Sequence, residues 1–437
     1  MDTLISNVTA VTMNERMDVL FGAYIGITEG KISYIGRTAP EEKPATIVDG
    51  TGMVAIPGLV NCHTHLAATA FRSCFDDLSS REALESLLQK ESHMDSRCAK
   101  AAATLGLAEC LRFGITSVSD LYYYPEATAE AVAESGIKAN IALSACRFEE
   151  TDEDYDFEND PQYAVLRQVV EKWNGFDNGR IRIDAGIYAE YTSNHPLWEG
   201  LAGYAAEQGM GMQLHLSQTA EETESCLDRT GLTPGELLSC HGLFAVPTAA
   251  AGCGALSEEE MAILGKKKAS AVALPIECAK AGLPTLAISK AVKAGMNVAL
   301  GTGSAAESGN MDLFEVMRAA AMAERVRAGK PEAMPAPAVL TMATLCGAWA
   351  QSRSDCGMLK EGMDADIALV DFSAPHLMPC HNVLSALVFA AKGGDVAMTM
   401  VRGQILYQNG NFPTLDLKTA VEELTAYAIP KLFAPAE

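Results

Sequence analysis

The chain has few basic residues, no long hydrophobic run and no closely paired cysteines. Its 33 lysines and arginines are outnumbered by 56 aspartates and glutamates, so the formal net charge is −23. A phosphate backbone or an anionic lipid surface would repel such a protein, and we expect neither nucleic acid nor a membrane as a partner. Because no run of about 18 apolar residues and no basic, apolar leader is present, we also expect neither a membrane span nor export.

The twelve cysteines lie singly along the chain. They lack the Cys-x-x-Cys spacing of a zinc ribbon and the density of a disulfide scaffold, so we expect reduced, mostly buried thiols in a cytoplasmic protein. What the chain does have is apolar material, since 49% of its 437 residues are hydrophobic and 20% are charged. This composition and length predict a globular protein with one large domain and one smaller domain.

Apolar segments alternate with alanine-rich helical segments through the middle of the chain. The predicted strands are 55–62, 115–122, 138–144, 181–189, 211–217, 248–255, 270–276 and 297–302. Eight such βα repeats favour an α/β fold of the (β/α)8 TIM-barrel type, in which the active site lies at the carboxyl ends of the strands. A doubly wound open sheet is the alternative.

Short β-like runs return at both ends of the chain. They are predicted at 4–11, 22–28, 31–35, 45–48, 366–370, 398–402 and 404–407. Strands at both termini predict that the chain ends meet in one small composite β-sandwich domain beside the barrel. The predicted organisation is therefore a first part of the β domain at 1–56, a barrel at 57–352, and at 353–437 the second part of the β domain with a C-terminal helix.

The segment I-P-G-L-V-N-C-H-T-H, which begins at Ile56, is the most informative stretch. Its residues Leu59 and Val60 suit a strand that is buried on both faces. His63 and His65 follow at the carboxyl end, with both side chains on the same side of an extended backbone. Two imidazoles presented in this way form half of a metal site, and a pair of structural histidines is the alternative interpretation.

Three motifs together resemble one family. P-G-L-V-N-C-H-T-H at 57–65, G-I-T-S-V-S-D at 114–120 and G-M-L-K-E-G-M-D-A-D-I-A-L-V-D at 357–371 resemble the amidohydrolase superfamily. The chain is most similar to its branch of methylthioadenosine/S-adenosylhomocysteine deaminases, guanine deaminases and triazine chlorohydrolases. This resemblance implies a metal-dependent barrel that hydrolyses a C–N bond of a small N-heterocycle or nucleoside-like molecule. Relatives in this branch often pair, which is compatible with a homodimer.

The resemblance also implies a metal site. In the family, the metal is held by the H-x-H pair, by a histidine after the fifth strand and by an aspartate after the eighth. His215, in Q-L-H-L-S, falls at the predicted end of the fifth strand and resembles the third ligand. Three neutral imidazoles with one open position form a recognised catalytic zinc set. Zinc is therefore the expected ion, with iron as the alternative, or no ion if the site is degenerate.

Four positions depart from the family pattern. Gly303 stands where the family has its aspartate, and Gln218 stands where the deaminases have a proton-shuttling glutamate. Gly252 replaces a histidine that polarises the reacting centre, and Tyr188 stands where a pocket histidine is common. An amide has no accessible pKa, so Gln218 cannot carry a proton between water and a leaving amine.

Other residues could compensate for these changes. Glu277, in L-P-I-E-C after the seventh predicted strand, is the first candidate for a replacement acid or base. Further candidates are Glu221, Glu222 and Glu307, for which solvated or hydrogen-bonded surface carboxylates are the simpler interpretation. Cys253 and Cys278 are candidate soft ligands, although buried inert thiols are the simpler interpretation. Three functions stay open: a metal-dependent, deaminase-type amidohydrolase with a degenerate proton-transfer set, a catalytically silent pseudo-enzyme that binds a ligand or a partner, and a new hydrolase or lyase with Glu277 as its base.

Overall fold

The computed structural model describes residues 1–78, 80–148, 155–267 and 269–434. Its strands, numbered along the chain, are β1 (Thr3–Val11), β2 (Val19–Thr28), β3 (Lys31–Gly36), β4 (Thr46–Asp49), β5 (Met53–Pro57), β6 (Leu59–Thr64), β7 (Ile115–Tyr122), β8 (Lys138–Leu143), β9 (Ile181–Gly186), β10 (Met212–Leu216), β11 (Thr248–Gly252), β12 (Ala269–Ala273), β13 (Asn297–Leu300), β14 (Ile367–Asp371), β15 (Val396–Val401) and β16 (Gln404–Gln408).

The α-helices lie mainly between and after the barrel strands. They are α1 (Ser80–Glu91), α2 (Ser96–Arg112), α3 (Pro125–Ser135), α4 (Pro161–Trp173), α5 (Phe176–Gly179), α6 (His195–Gln208), α7 (Ala220–Thr230), α8 (Pro234–Cys240), α9 (Glu258–Leu264), α10 (Pro275–Lys280), α11 (Ile288–Lys293), α12 (Ala305–Ser308), α13 (Leu313–Ala328), α14 (Ala336–Met342), α15 (Leu345–Ala350), α16 (Val383–Phe389), α17 (Leu417–Glu423) and α18 (Ile429–Leu432). No helix in the described part of the chain is both long and apolar enough to cross a membrane.

Strands β6 to β13 form one parallel sheet in chain order. The sheet curves back on itself, because Thr64 forms a parallel bridge with Gly303 just after β13. At this junction the Gly303 backbone N–H donates to the His63 carbonyl at 3.0 Å. The (β/α)8 barrel is therefore confirmed, and the alternative of a doubly wound open sheet is not observed.

Strands from both chain ends form a second sheet. Its order is β16-β15-β14-β5-β1-β2-β3, and β4 pairs with β1. Because β14 runs antiparallel to β5, hydrogen bonds join the closing segment of the chain to its opening segment. The prediction that both termini build one small β unit beside the barrel is confirmed, whereas the domain boundaries at residues 56 and 352 stay a prediction.

The chain passes from the mixed sheet into the barrel at Pro57 and Gly58. The sequence predicts a single strand over 55–62, but β5 ends at Pro57 and β6 begins at Leu59, with Gly58 between them. A Cβ atom on Gly58 would lie 2.1 Å from the Thr116 Oγ1 atom. Only glycine permits this close approach, and the predicted strand is divided between the two sheets at this residue.

The interior of the barrel explains why its strands were readable from sequence. Every residue of β7, β8, β10, β11 and β12 is buried. Strands that are covered on both faces have continuous apolar sequences, and this pattern predicts them without knowledge of the tertiary structure. The described barrel therefore places its strand ends, with His63 in β6 and His65 directly after it, in a fixed and well-packed frame.

Candidate metal centre

Strand β6 delivers the first two imidazoles to the barrel mouth. The Asn61 side chain fixes the strand, because it donates to the Thr302 hydroxyl at 2.8 Å and accepts from the Thr302 backbone N–H at 3.0 Å. Just beyond the strand, Asp120 accepts a hydrogen bond from the Leu66 backbone N–H at 2.6 Å. These contacts hold the turn that contains His65, so both ends of the H-x-H segment are anchored.

Strand β10 brings His215 to the same place. Its Nε2 atom lies 3.0 Å from Nε2 of His63 and 3.3 Å from Nε2 of His65. On their other ring nitrogens, His215 Nδ1 donates to the Tyr188 carbonyl at 2.8 Å and His65 Nδ1 donates to the Leu121 carbonyl at 2.6 Å. The structure thus brings together the three histidines that the sequence singled out.

The hydrogen bonds determine which nitrogens carry protons. A carbonyl oxygen only accepts, so Nδ1 of His65 and of His215 must each hold a hydrogen. Burial lowers the pKa of His65 to about 4 and that of His215 to about 3, and it lowers the pKa of His63 well below its usual range. The rings are therefore neutral near pH 7, and the Nε2 lone pairs of His65 and His215 face each other.

This arrangement fits a divalent transition metal. Lone pairs that converge without a hydrogen between them repel one another, and a cation relieves that repulsion. Two nitrogen ligands of a tetrahedral zinc ion at about 2.05 Å lie about 3.3 Å apart, close to the separations found here. Imidazole suits zinc and iron equally well by ligand type. Among the described residues, no carboxylate or thiol joins the three histidines in a group of ligand atoms within 4.8 Å of one another.

The two candidate soft ligands have other surroundings. The Cys253 thiol is fully buried and donates to the Ala250 carbonyl at 3.3 Å. Burial raises the pKa of Cys278 to about 12, so this thiol stays protonated. Neither sulfur belongs to the histidine cluster, which agrees with buried inert thiols.

Gln218 and Gly252 fit each other across neighbouring strand ends. Gly252 has a φ of +87°, and a Cβ atom there would lie 2.5 Å from Cγ of Gln218. Glu222 holds this loop, because its two carboxylate oxygens accept from the Ser217 N–H at 3.0 Å and the Gln218 N–H at 2.7 Å. The Gln218 side chain therefore fills the room that a larger residue at 252 would need, and Glu222 has a structural position.

Glu277 and Gly303 fit each other in the same way. Pro275 ends the seventh barrel strand earlier than the predicted 276 and starts α10, so Glu277 lies in the first helical turn. The Ser304 backbone N–H donates to Glu277 Oε2 at 3.1 Å. A Cβ atom on Gly303, whose φ is +68°, would lie 1.7 Å from that same oxygen. The carboxylate occupies the space of the side chain that Gly303 lacks.

Glu307 lies against Glu277 on the wall of the pocket. The two carboxyl groups are in hydrogen-bond contact, and Glu277 is 8% exposed whereas Glu307 is open to the space of the pocket. Burial, followed by the charge of Glu307, raises the pKa of Glu277 well above its usual range. Desolvation of the Glu307 carboxyl group by the surrounding protein also raises the pKa of Glu307. A hydrogen bond between two carboxyl groups requires one proton, so the pair holds a shared proton with Glu277 as its donor.

One pocket contains the histidines and the carboxyl pair together. Its lining includes His65, His215, Gln218, Glu277 and Glu307. The rest of the lining is largely aromatic and apolar, with Tyr122, Tyr123, Tyr188 and Tyr191 among the aromatic residues and Phe75, Leu78, Leu87, Leu88 and Leu283 among the apolar ones. Such a surface suits a flat ring with an apolar substituent.

Sequence reasoning missed several ionisable residues of this pocket, among them Asp76, Lys280 and Glu91. Glu91, at the end of α1, lines the pocket and accepts a hydrogen bond from the Tyr122 hydroxyl. It lies in a polar helical segment, Q-K-E-S-H, where nothing in the pattern distinguishes it from a surface glutamate. Only the packing of α1 over the barrel mouth reveals its position.

Comparison with known proteins agrees with this geometry. The family model described as amidohydrolase family matches residues 54–406. A 5'-deoxyadenosine deaminase of Methanosarcina mazei is 34% identical over 423 residues, which are 97% of this chain and 96% of that protein. A 5-methylthioadenosine/S-adenosylhomocysteine deaminase of Caldicellulosiruptor saccharolyticus is 32% identical over 429 residues, 97% of each chain.

A solved structure agrees as well. The crystal structure of an adenosine deaminase from Xanthomonas campestris with bound zinc has a TM-score of 0.91 to this chain, with 26% identity and 98% of both chains covered. The fold, the family model and the two curated relatives thus agree over nearly the whole length. The chain belongs to the amidohydrolase family.

Proposed function

We propose that this protein is a metal-dependent hydrolase that removes an amino group from a small N-heterocycle in a nucleoside-like molecule. The observation that carries the proposal is the convergence of three neutral imidazoles at the barrel mouth, within a pocket. His63, His65 and His215 would hold the ion, with zinc expected and iron as the alternative. When bound, this ion supplies Lewis acidity that activates water near neutral pH.

The residues of the chain have separate tasks in this reaction. The carbonyl groups of Leu121 and Tyr188 orient His65 and His215 and fix their tautomers, as outer contacts of metal ligands commonly do. The Tyr188 ring lies 4.7 Å from the His215 ring and belongs to the aromatic surface that would receive the heterocycle. The buried walls of the barrel exclude bulk water from one side of the site.

The nucleoside-like substrate class is supported by the relatives. The two curated relatives are named as deaminases of 5'-deoxyadenosine and of 5-methylthioadenosine or S-adenosylhomocysteine, and each matches nearly all of this chain. The apolar residues that line the pocket, including Phe75, Leu87 and Leu283, suit the apolar substituents of such molecules. We therefore extend the substrate class of these relatives to this chain as a proposal.

A silent pseudo-enzyme is the second candidate. It is favoured by Gln218, whose amide cannot carry a proton, and by the absence of a side chain at Gly252. In this case the pocket would bind a nucleoside-like ligand or a partner without turnover. The same experiment separates the two candidates.

The test measures metal content and ammonia release on protein purified without chelator. We expect about one equivalent of zinc or iron, and ammonia release from at least one member of a panel of adenosine, 5'-deoxyadenosine, methylthioadenosine, guanine and aminotriazines. His215→Ala should lose both the metal and the activity, because it removes one of three ligands. His376→Ala changes a histidine that pairs with Asp395 on the protein surface, and it serves as the control.

The outcomes lead to different conclusions. Far less than one equivalent of metal would contradict the metal site itself. One equivalent of metal with no ammonia from any panel member would favour the silent binder. Ammonia release that His215→Ala abolishes and His376→Ala retains would support the hydrolase.

A further inference from the structure

The Glu277 carboxyl group occupies the space directly beside Gly303 in the pocket wall. A side chain at position 303 would start 1.7 Å from Glu277 Oε2 and 2.7 Å from Glu277 Cδ. The two residues therefore cannot both carry a carboxylate into this space with the present backbone. Glu277 comes from the end of β12 and Gly303 from the end of β13, which are adjacent parallel strands.

We propose that Glu277 and Glu307 form a relocated proton-transfer pair, which performs the acid and base steps in place of side chains at positions 303 and 218. This inference rests on the proposed hydrolytic function and assigns its proton carriers. The Glu277 carboxyl group occupies the volume that a side chain at position 303 would need.

The backbone holds Glu277 in this position. Its Oε2 atom accepts from the Ser304 N–H, and Ser304 itself caps α12 by accepting from the Ala306 N–H at 3.1 Å. Glu307 follows in the same short helix, so the loop that starts at Gly303 contributes both the anchor and the partner of Glu277. A carboxylate that a neighbouring backbone amide and a second carboxyl group fix in the pocket wall is preorganised for proton transfer.

The geometry assigns the pair to proton transfer and not to metal coordination. Neither glutamate belongs to a group of ligand atoms within 4.8 Å that includes the three histidines. Both line the pocket that holds His65 and His215. The pair therefore faces the same pocket as two of the three histidines, and its assigned task is proton exchange with a molecule bound there, whereas the ion would be held by the histidines.

The proton balance requires only water as the second reactant. An oxygen of water forms a bond to the ring carbon that carries the amino group, and the pair passes the first water proton to the adjacent ring nitrogen. The pair then passes the second water proton to the amino group. The C–N bond breaks with its electrons on the departing ammonia, and a carbonyl forms on the ring carbon. Since one proton is already shared, the pair can accept one proton and donate another without a third group.

The closely fitting positions suggest an exchange experiment. Glu277→Gln should lower kcat by roughly 10²- to 10⁴-fold while metal content stays at one equivalent. Gly303→Asp alone should lower both kcat and the melting temperature, because the new side chain meets the fixed carboxylate and occupies a left-handed backbone position. The double variant Glu277→Ser with Gly303→Asp should recover most of the lost melting temperature and exceed the kcat of Glu277→Ser at least tenfold.

Glu307→Gln adds a readout that a structural role would not change. A departing amine needs a proton and a departing chloride does not. We therefore expect this variant to slow a 6-amino purine nucleoside at least tenfold more than its 6-chloro analogue. Glu171→Gln, on the exposed face of α4, is the matched control and should leave both rates unchanged.

Specific results would overturn the inference. Activity of Glu277→Gln within threefold of wild type would exclude Glu277 as a proton carrier. Equal slowing of the amino and chloro substrates by Glu307→Gln would remove Glu307 from the acid step. If the wild-type protein binds metal but turns over no substrate, the proposed function fails and the catalytic role of the pair fails with it. In that case melting of the single and double variants still decides whether Glu277 occupies the space of residue 303, so the two failures can be distinguished.

Discussion

Glu91 is a carboxyl group on the pocket wall whose ionisation is costly in the folded protein. It accepts a hydrogen bond from the Tyr122 hydroxyl at the end of β7. Burial raises the pKa of Glu91 from its ordinary 4.5 to about 7, and the nearby charge of Glu307 acts in the same direction, while the hydrogen bond from Tyr122 opposes the shift. Folding therefore favours the protonated carboxyl group.

This shift gives stability a definite dependence on pH. Between about pH 4.5 and 7 the folded protein binds the Glu91 proton and the unfolded chain releases it, so the free energy of unfolding falls as pH rises through this range. The full effect is about 3 kcal/mol at most, from about 2.5 pH units at 1.36 kcal/mol each. Glu91→Gln keeps an acceptor for Tyr122 and removes the ionisation. We expect it to raise the free energy of unfolding at pH 8 by up to that amount.

Denaturant unfolding at pH 5 and pH 8 measures this effect. At pH 5 the variant should differ from wild type by less than about 1 kcal/mol, because both side chains are then uncharged in the folded state. Glu171→Gln on exposed α4 should change neither value. A gain in stability of the Glu91 variant that is equal at both pH values would show that its ionisation is not the cause.

At the scale of single elements, β10 and the loop that follows it depend on one buried carboxylate. Ser217 adopts a left-handed φ of 45°, and Glu222 accepts hydrogen bonds from the backbone of Ser217 and Gln218. Thr219 caps α7 by accepting from the Glu222 N–H at 3.0 Å. The start of α7 therefore holds the loop in place directly after His215.

Removing this carboxylate should loosen the loop that His215 precedes. Glu222→Ala leaves the buried Ser217 N–H and the half-buried Gln218 N–H without their acceptor. An unsatisfied buried donor costs about 1–3 kcal/mol, and the half-buried one lies at the low end of this range. We expect a loss of about 2–4 kcal/mol in the free energy of unfolding, together with weaker metal binding. Calorimetric titration of zinc into metal-free protein measures the second effect. Glu221→Ala, its exposed neighbour, is the control, and equal losses in both variants would contradict this explanation.

The elements themselves could largely be read from the sequence, and their contacts could not. The strands β7 and β8 begin where predicted, because apolar runs bounded by helix signals are local features of the chain. The division between β5 and β6 falls at Gly58, whose close approach to Thr116 is a tertiary contact that the local sequence does not reveal. The hydrophobic pattern therefore predicts that a strand exists more reliably than it predicts where the strand ends.

The candidate site also has a part that the sequence predicts and a part that it does not. His63, His65 and His215 could be selected because strand ends of a barrel meet at one face. The fit between Glu277 and Gly303 could not be predicted, since it depends on where a side chain of one loop lies relative to the backbone of the next. From the sequence, Gly303 is only a departure from the family pattern; in the structure, the Glu277 carboxyl group fills the space beside it.

At the scale of the whole molecule, a buried cation joins the barrel to the mixed sheet. Lys138, the first residue of β8, is 1% exposed, and its ammonium group lies 2.7 Å from Asp366 and 2.9 Å from Asp364. Both aspartates belong to the segment that leads into β14 of the mixed sheet. This ion cluster therefore connects the amino-terminal end of a barrel strand to the part of the protein built from both chain ends.

Breaking this cluster should destabilise the whole protein far more than breaking a similar surface pair. Lys138→Met leaves two carboxylates without their buried cation, and removal of one partner from a buried pair costs about 3–5 kcal/mol. Lys31 pairs with the same Asp364 at 2.8 Å but is 54% exposed. Lys31→Met should therefore cost less than about 1 kcal/mol.

Denaturant unfolding compares the two variants directly. Hydrogen exchange in β14 should accelerate in Lys138→Met alone, because only that variant separates the sheet from the barrel. Equal exchange in the two variants would mean that apolar packing, and not this cation, holds the two parts of the molecule together.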